Sequence, residues 1–434
     1  MAGCGRCVFL FVTGKRVIFA VQIFFSMSNS RISRRIQALS ASQTLAMSQK
    51  SSELRAKGID VINLSVGEPD FPTPEHIKEA AKRAIDENYT HYTPVPGYME
   101  LRRAIADTLR REHGVEYAPE QIVVSGGAKQ ALSNAVLALV NEGDEVVIPV
   151  PAWVSYVEMV KLAGGVNVTV PAGIDQDFKV TPAQLEAAIT PATRLVMLCS
   201  PSNPSGAVYS RDELRGLVEV LARHPQVMVL ADEIYEHINY TGSYASLSEF
   251  PEIADRLVLV NGVSKAYAMT GWRIGFLAAP LDVAKAVSKL QGQTTSGCCS
   301  IAQKAAEAAY NGSQAPVEEM RVAFERRRDL VVDLAREIPG LKVNVPSGAF
   351  YLFPEVTHYL GKKYKTEDAE GNAVEKTVTT DSDLAMFLLE EAHVATVAGS
   401  AFCLPGYIRL SYAASDEKLA EAMGRIRVAL ARLY

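Results

Sequence analysis

The sequence lacks several features that would place it in other classes of protein. It has no run of about 18 to 20 apolar residues, so we expect no membrane-spanning helix. Its six cysteines are too few to form a disulfide framework in 434 residues, and this favours a cytoplasmic location. Its formal charge of −5 gives no excess of basic residues, as nucleic-acid binding would require. The remaining composition is typical of a globular enzyme.

The first 26 residues also lack acidic side chains, since the first carboxylate of the chain is that of Glu53. The apolar pieces CVFLFV and VIFAVQIFF are separated by GKR, so neither forms an unbroken signal-peptide core. We interpret residues 1–26 as a disordered leader or a mis-assigned start before Met27, with a signal or transit peptide and a structural role left open. Cys4 and Cys7 form a single CxxC pair, from which we predict no metal site.

The rest of the chain has the pattern of an α/β protein. From QIVVS to IGFLAA, short β-rich runs alternate with amphipathic helical stretches such as RDELRGLVEVLAR. This alternation predicts a mostly parallel central sheet. We expect a large domain over residues 71–316, a smaller α+β domain over 317–434, and an N-terminal segment, 27–70, that joins the small domain. The polar stretch GKKYKTEDAEGNAVEKTV is expected to be a surface insertion or a lid.

Polar residues follow the ends of several predicted strands, which is where parallel α/β sheets bind ligands. Residues 126–128, Gly-Gly-Ala, precede a helix, and backbone N–H groups there could approach a phosphate. Asn203 lies in a proline-rich loop, and Asp232 closes an apolar strand, where a buried carboxylate needs a cationic partner. Lys265 follows LVLVNGVS, and Arg273 lies eight residues later. Each residue alone could be a cap or a surface charge, but together they predict a catalytic site.

These positions belong to a longer series of motifs that resembles one family. The motifs are GEPDF, SGGAKQAL, PAWVSY, CSPSNPSG, ADEIYEHI, SKAYAMTGWRIG, SGAFYLF and IRLSYA. In this order they resemble the class I pyridoxal-phosphate-dependent aminotransferases of fold type I. The resemblance runs from about Arg31 to the end of the chain. It is strongest to the bacterial-type aspartate aminotransferase branch, which also includes prephenate aminotransferases.

The resemblance implies that pyridoxal 5′-phosphate is the cofactor and assigns residues to its ring. Lys265 is expected to carry the cofactor and to move the proton at the substrate Cα, as a general acid–base residue. Asp232 is expected to pair with the pyridine nitrogen and keep it protonated. Tyr235 and Asn203 are expected to hydrogen-bond the ring hydroxyl, and Trp153 to stack on the ring. Trp153 and Asn203 are also expected to face the substrate.

The resemblance assigns the cofactor phosphate to Gly127, Ala128 and Arg273, whose guanidinium matches an anion-binding fork. Tyr92, in THYTPVPG, matches a tyrosine that reaches the phosphate of the neighbouring subunit. We therefore expect a homodimer with shared active sites. The chain departs from the family at Gly262, where many relatives have a phosphate-binding serine. The sequence leaves open whether Ser264 contacts the phosphate instead.

Substrate recognition is assigned in the same way. Arg409 matches the arginine that binds the substrate α-carboxylate, and Gly67 offers a backbone N–H nearby. Fixing the α-carboxylate would orient the Cα–H bond for proton removal. Lys129 matches a lysine that reads the distal carboxylate of aspartate or glutamate, assisted by Ser42 and Thr44. A cation with two hydroxyls suits a dicarboxylic amino acid.

The expected reaction is therefore reversible amino transfer from L-aspartate to 2-oxoglutarate, giving oxaloacetate and L-glutamate by a ping-pong mechanism through pyridoxamine phosphate. A dual aspartate/prephenate or broader activity is the first alternative, although Ser40 stands where the prephenate enzymes considered have a basic residue. A β-lyase is a more distant alternative because the same fold supports several reactions. An effector-sensing regulator is disfavoured, since only about thirty residues precede the matching region.

Overall fold

The computed structural model describes residues 31–367 and 371–434, so the interpretation of residues 1–26 lies outside the described residues. The helices are α1 (Arg34–Gln37), α2 (Gln43–Ala56), α3 (Glu75–Asp86), α4 (Met99–His113), α5 (Ala128–Leu139), α6 (Ser155–Ala163), α7 (Pro182–Ala188), α8 (Arg211–Ala222), α9 (Leu281–Thr294), α10 (Ser300–Asn311), α11 (Ala315–Arg336), α12 (Asp381–Glu391) and α13 (Asp416–Leu430). The strands are β1 (Ile62–Asn63), β2 (Ile122–Ser125), β3 (Glu145–Val150), β4 (Val166–Pro171), β5 (Thr193–Cys199), β6 (Met228–Asp232), β7 (Leu257–Gly262), β8 (Gly275–Ala278), β9 (Tyr351–Leu352), β10 (Lys363–Glu367), β11 (Ala373–Thr377), β12 (Val394–Ala395), β13 (Val397–Ala398) and β14 (Ile408–Ser411).

A seven-stranded sheet is the centre of the fold, with the strand order β2-β8-β7-β6-β5-β3-β4. The run from β7 through β6, β5 and β3 to β4 is parallel, whereas β8 is antiparallel to both of its neighbours. The predicted α/β architecture with a mostly parallel sheet is confirmed. The reversal of β8 could not be read from its sequence, because an apolar strand pattern carries no direction.

Both faces of this sheet are buried, which explains its continuous apolar strands. Val258 and Val260 of β7 belong to one apolar core, and Leu257 and Leu259 belong to the core on the opposite face. Successive side chains of a strand point to opposite faces, so a strand between two helical layers must be apolar throughout. The polar end of β6 at Asp232 interrupts this pattern and marks the site.

The helices begin and end at recognisable sequence signals. Ser210 caps α8 by accepting a hydrogen bond from the Glu213 backbone N–H, and the Glu213 side chain accepts one from the Ser210 N–H. This reciprocal arrangement is the capping box. Helix α4 ends at His113, and the next residue, Gly114, caps it with a φ of 68°, a left-handed conformation that suits glycine.

The C-terminal part of the chain surrounds a smaller antiparallel sheet of order β13-β14-β9. Strand β1, near the N-terminus, pairs in parallel with β12 of this part. Met47 of α2 packs in one apolar cluster with Ala385 and Leu389 of α12. Strands β10 and β11 pair as a hairpin, so the predicted polar insertion contains regular structure. Within the described part of the chain, no helix combines the length and apolar character needed to cross a membrane.

Candidate active site

A cavity of about 320 Å³ lies outside the carboxyl ends of the central parallel strands, and it brings most of the predicted site residues together. The predicted residues that line it are Ser42, Thr44, Gly67, Ala128, Lys129, Trp153, Asn203, Asp232, Tyr235, Lys265, Arg273 and Arg409. They come from the part of the chain around the seven-stranded sheet and from the C-terminal part around the smaller sheet. The cavity therefore exists only where these two parts meet.

One end of the cavity is formed by the loop before α5. Arg273 donates from Nη2 to the Gly126 carbonyl at 3.1 Å and from Nη1 to the Thr270 carbonyl at 2.8 Å. Gly127 has a φ of 88°, and a Cβ there would lie only 2.3 Å from Arg273 Nη2. Glycine therefore lets the guanidinium approach the loop, beside the N-terminus of a helix that favours anions. This arrangement suits a phosphate group.

Gly262 is explained by the close approach of two strand ends. A Cβ on Gly262 would lie 2.7 Å from Gly275 Cα and 2.9 Å from the Ile274 carbonyl oxygen. A serine at this position would therefore require the backbone of β8 to shift. Ser264 is buried and lines the cavity. Its contact with a phosphate stays a prediction.

Lys265 follows β7 and projects its amine into the cavity. Its Nζ donates a hydrogen bond to the Gly67 carbonyl at 2.6 Å. Burial lowers the pKa of Lys265 to about 8, against the carboxylate of Glu68, which acts to raise it. An amine with a lowered pKa is partly neutral near physiological pH, as a carbonyl-binding lysine requires.

Asp232 lies at the end of β6 with only 3% of its surface exposed. Tyr156 donates from its hydroxyl to Asp232 Oδ2 at 2.5 Å, and the Ile234 backbone N–H donates to Oδ1 at 3.3 Å. Burial nevertheless raises the pKa of Asp232 to about 6. A buried carboxylate is stabilised in its charged form by a cationic partner. The protonated pyridine nitrogen of the expected cofactor would be such a partner.

Arg409 of β14 is 2% exposed, although a guanidinium is almost never buried without partners. Its Nη1 donates to Asn203 Oδ1 at 3.0 Å, and its Nη2 donates to the Ser65 carbonyl. Its Nε is buried with no hydrogen-bond partner. Burial lowers the pKa of Arg409 from its ordinary value. A bound carboxylate would supply the negative charge and the hydrogen-bond acceptor that this guanidinium lacks.

Lys129 provides a second cation at the cavity wall. Its Nζ lies 4.8 Å from the centre of the Trp153 ring, a cation–π distance. Burial lowers the pKa of Lys129, and Arg273 lowers it further. Ser42 is the N-cap of α2, where its hydroxyl accepts a long 3.5 Å bond from Leu45 N. Thr44 follows in the first turn of the same helix.

Two aromatic residues of the site were missed by the sequence analysis. Tyr156 binds Asp232, and Tyr351 lines the cavity with its hydroxyl 2.7 Å from the Tyr235 hydroxyl. Both lie in motifs that the sequence analysis quoted, Tyr156 in PAWVSY and Tyr351 in SGAFYLF, so the motifs could have revealed them. By contrast, Tyr92 does not line the cavity of its own chain and is 99% exposed.

The residues present fit pyridoxal phosphate. The loop at Arg273 suits the phosphate, the buried carboxylate of Asp232 suits a protonated pyridine nitrogen, and Lys265 offers an amine. The sequence pattern of the family described as aminotransferase class I and II matches residues 59–426, and the chain belongs to this family. It has the fold of the type I aminotransferases and is a pyridoxal-phosphate-dependent transaminase.

The chain is similar along most of its length to particular members of the family. It is 50% identical to the aspartate/prephenate aminotransferase of Cereibacter sphaeroides, over 90% of this chain and 96% of the relative. It is 47% identical to the aspartate aminotransferase of Geobacillus stearothermophilus, over 91% of this chain and 98% of that protein. The solved aspartate aminotransferase of Rhizobium meliloti is 45% identical, covers 93% of this chain and 100% of its own, and superposes with a TM-score of 0.87.

Proposed function

We propose that the protein is an aspartate aminotransferase, which transfers the amino group of L-aspartate to 2-oxoglutarate and gives oxaloacetate and L-glutamate. The observation that carries this proposal is the presence of two cations in one cavity, Arg409 and Lys129, in addition to Arg273 at the phosphate end. Two carboxylates in the substrate would pair with them. In support, the Thermus thermophilus aspartate aminotransferase has been solved with maleate, a dicarboxylate. That protein is 41% identical to this chain.

The proposed roles follow from what each side chain can bind. Bound pyridoxal phosphate supplies a conjugated ring that accepts the electron pair left when the Cα–H bond breaks. Asp232 would keep a proton on the pyridine nitrogen, and Trp153 would lie against the ring. Tyr235 and Asn203 would hydrogen-bond the ring hydroxyl. The phosphate would be held by Arg273 with the backbone of Gly127 and Ala128.

The substrate would be held at both ends, which fixes its Cα. Arg409 would bind the α-carboxylate with its guanidinium, and Gly67 would assist with its backbone N–H. Lys129 would bind the distal carboxylate, with the hydroxyls of Ser42 and Thr44 as further donors. Two fixed ends would leave one orientation of the Cα–H bond, which is the positioning contribution to catalysis.

Lys265 would move the proton. Its pKa of about 8 leaves a fraction of the amine neutral at pH 7, so that Nζ can accept a proton from the substrate Cα. The Gly67 carbonyl, which accepts its hydrogen bond, would orient the amine until substrate binds. The same ammonium would then donate this proton to cofactor C4′ instead of back to Cα, and this completes the transfer.

Prephenate is a second candidate acceptor. The observation that favours it is the 50% identity to a relative named aspartate/prephenate aminotransferase. Against it, Ser40 is not basic; its backbone N–H donates to Glu158 Oε2 at 2.9 Å. We rank 2-oxoglutarate first as the acceptor because Ser40 does not provide the basic residue that the prephenate enzymes considered have at this position.

The wider organisation is part of the same proposal. We propose a large domain over residues 71–316, a small domain over 317–434, and a segment at 27–70 that joins the small domain. The pairing of β1 with β12 supports this division. We also propose a homodimer in which Tyr92 reaches the partner's phosphate site. A cytoplasmic location stays a prediction that cell fractionation would test.

The test is an assay of amino transfer by the purified enzyme and by a Lys129→Met variant. With L-aspartate and 2-oxoglutarate, the wild type should form oxaloacetate rapidly. The Lys129→Met variant should lose about 30-fold or more in kcat/KM, because a carboxylate is left without its cation. In the half-reaction without a 2-oxo acid, its kcat/KM for L-alanine, which has no distal carboxylate, should change far less.

The control is Lys289→Met, at an exposed position of α9, which should match the wild type. Prephenate is supplied in parallel as the amino acceptor. Strong turnover with it would show that the enzyme has the dual aspartate/prephenate activity. Repeated turnover of aspartate, beyond one equivalent per site, without any 2-oxo acid acceptor would instead indicate lyase chemistry. Equal losses with aspartate and alanine in the Lys129→Met variant would contradict the distal-carboxylate assignment.

A further inference from the structure

Tyr351 is the first residue of β9, and the sheet fixes its position. Its backbone pairs with Ser411 of β14, the strand that also carries Arg409. The side chain has no exposed surface and lines the cavity. A fully buried tyrosine needs a partner for its hydroxyl, since an unpaired hydroxyl costs free energy. The partner here is a residue of the site.

The Tyr351 hydroxyl lies 2.7 Å from the hydroxyl of Tyr235, and either oxygen could be the donor. The two arrangements are not equivalent for function. If Tyr235 donates its proton to an acceptor in the cavity, Tyr351 must donate to the Tyr235 oxygen. A hydroxyl that accepts one hydrogen bond becomes a better donor of another, because linked hydrogen bonds polarise each other.

The same hydroxyl also lies against the segment that orients Lys265. A Cβ on Gly67 would be 2.2 Å from the Tyr351 hydroxyl oxygen, so only glycine allows this approach. The Gly67 carbonyl accepts the hydrogen bond from Lys265 Nζ. Tyr351 is therefore packed against the backbone of this catalytic segment as well as against Tyr235.

The ring of Tyr351 has a separate contact. The Arg409 guanidinium carbon lies 4.6 Å from the centre of the Tyr351 ring and 5.0 Å from that of Phe402. A guanidinium at this distance from an aromatic face is stabilised by the cation–π interaction. This contact helps to explain how Arg409 is buried while its Nε has no hydrogen-bond partner.

We propose that Tyr351 is a positioning residue that acts through two neighbours: its hydroxyl directs the Tyr235 proton into the cavity, and its ring orients Arg409. This inference rests on the proposed function, which gives Tyr235 the cofactor ring hydroxyl and Arg409 the substrate α-carboxylate. The two contributions are separable, because phenylalanine keeps the ring and removes only the hydroxyl.

The experiment compares Tyr351→Phe, Tyr351→Leu and a control, Tyr209→Phe. Tyr209 is also buried, and its hydroxyl accepts a 2.8 Å bond from the Val180 backbone N–H, but it does not line the cavity. The first measurement is the absorbance of the bound cofactor against pH. The second is the Kd of maleate, a non-reacting dicarboxylate. The third is kcat and KM with aspartate.

In Tyr351→Phe, the pH midpoint of the change in cofactor absorbance should rise by about 0.4–1 pH unit. The reason is that Tyr235 would donate less strongly to the cofactor ring oxygen, which is negative in the unprotonated form of the cofactor. The Kd of maleate should stay within about twofold of the wild-type value because the ring remains. In Tyr351→Leu, the midpoint should rise similarly, and the Kd of maleate should increase about 5- to 30-fold. KM should then increase more than in the phenylalanine variant.

An unchanged midpoint in Tyr351→Phe overturns the proposal, whatever the leucine variant does, because that substitution removes a single oxygen. An equal midpoint shift in Tyr209→Phe also overturns it, since the effect would then be general to buried hydroxyls. A wild-type enzyme that binds the cofactor but transfers no amino group would refute the proposed function instead, and this is visible before any variant is compared.

Discussion

At the scale of single residues, the cavity is defined by ionisable groups that are held away from water. Burial raises the pKa of Asp232 to about 6, lowers that of Lys265 to about 8, and lowers that of Arg409 from its ordinary value. Each shift favours the neutral form, as expected when a charge lacks solvation. The protein therefore keeps these groups at a cost in stability, and bound ligands would offset that cost.

Asp232→Asn should stabilise the cofactor-free protein at neutral pH. Because the folded pKa of about 6 lies above the ordinary value of 3.8, the stability that this carboxyl contributes is full below about pH 4 and is lost as pH rises through about 6. Asparagine does not ionise, so the variant should be about 1–3 kcal/mol more stable than the wild type at pH 7.5. Urea unfolding at pH 4.5 and 7.5 measures the difference.

Amino transfer should nevertheless be nearly abolished in Asp232→Asn, since no carboxylate would keep the ring nitrogen protonated. Asp333→Asn, at a position on α11 whose side chain is 78% exposed, is the control and should change neither property. The reasoning would be wrong if Asp232→Asn showed the wild-type dependence of stability on pH.

At the scale of elements, the phosphate end depends on how closely β8 approaches the start of α5. Gly275 begins β8, and a Cβ there would lie 2.2 Å from the Ala128 nitrogen and 2.6 Å from the Gly127 carbonyl carbon. Both contacts are with backbone, which cannot rotate away as a side chain can. The strand and the loop must therefore move apart if Gly275 gains a side chain.

Gly275→Ala should weaken cofactor binding, because the displaced loop no longer presents its N–H groups to the phosphate in the same geometry. We expect the Kd for pyridoxal phosphate to rise about tenfold or more, corresponding to the loss of one charge-assisted hydrogen bond. Titration of the cofactor-free protein measures this. Gly424→Ala, on α13 with open space around the added carbon, should bind as the wild type does, and equal Kd values for all three proteins would refute the steric argument.

At the scale of the whole molecule, one predicted site residue lies apart from the others. Tyr92 is 99% exposed in the single chain, whereas the other thirteen predicted residues line the cavity or flank Arg273. A large aromatic side chain this exposed is consistent with a role at another subunit. Its assignment therefore depends on the proposed homodimer.

A mixture of two inactive variants tests this sharing of sites. Lys265→Ala chains and Tyr92→Ala chains, unfolded and refolded together, form mixed dimers. If Tyr92 serves the partner's site, each mixed dimer contains one complete wild-type site, and activity should recover to about half of the wild-type value per mixed dimer. If Tyr92 acted within its own chain, the mixture would contain no complete site. Activity no higher than the sum of the separate variants would therefore contradict the assignment.

The sequence by itself determined the α/β class, the helices bounded by capping signals, and the identities of the chemical groups at the strand ends. These features are local, because a strand's apolar pattern or a capping serine depends on neighbours along the chain. The motif order placed Lys265, Asp232, Asn203, Arg273 and Arg409 in one site, and the cavity brings them together.

Only the tertiary structure decided how these groups act on one another. Tyr156 and Asp232 are 76 positions apart, and Tyr235 and Tyr351 are 116 apart, so no local pattern connects either pair. The antiparallel direction of β8 and the fit of Gly275 against Ala128 likewise depend on packing between distant segments. Burial, which shifts the pKa values of Asp232 and Lys265, is a property of the assembled cavity and therefore arises only when the chain has folded.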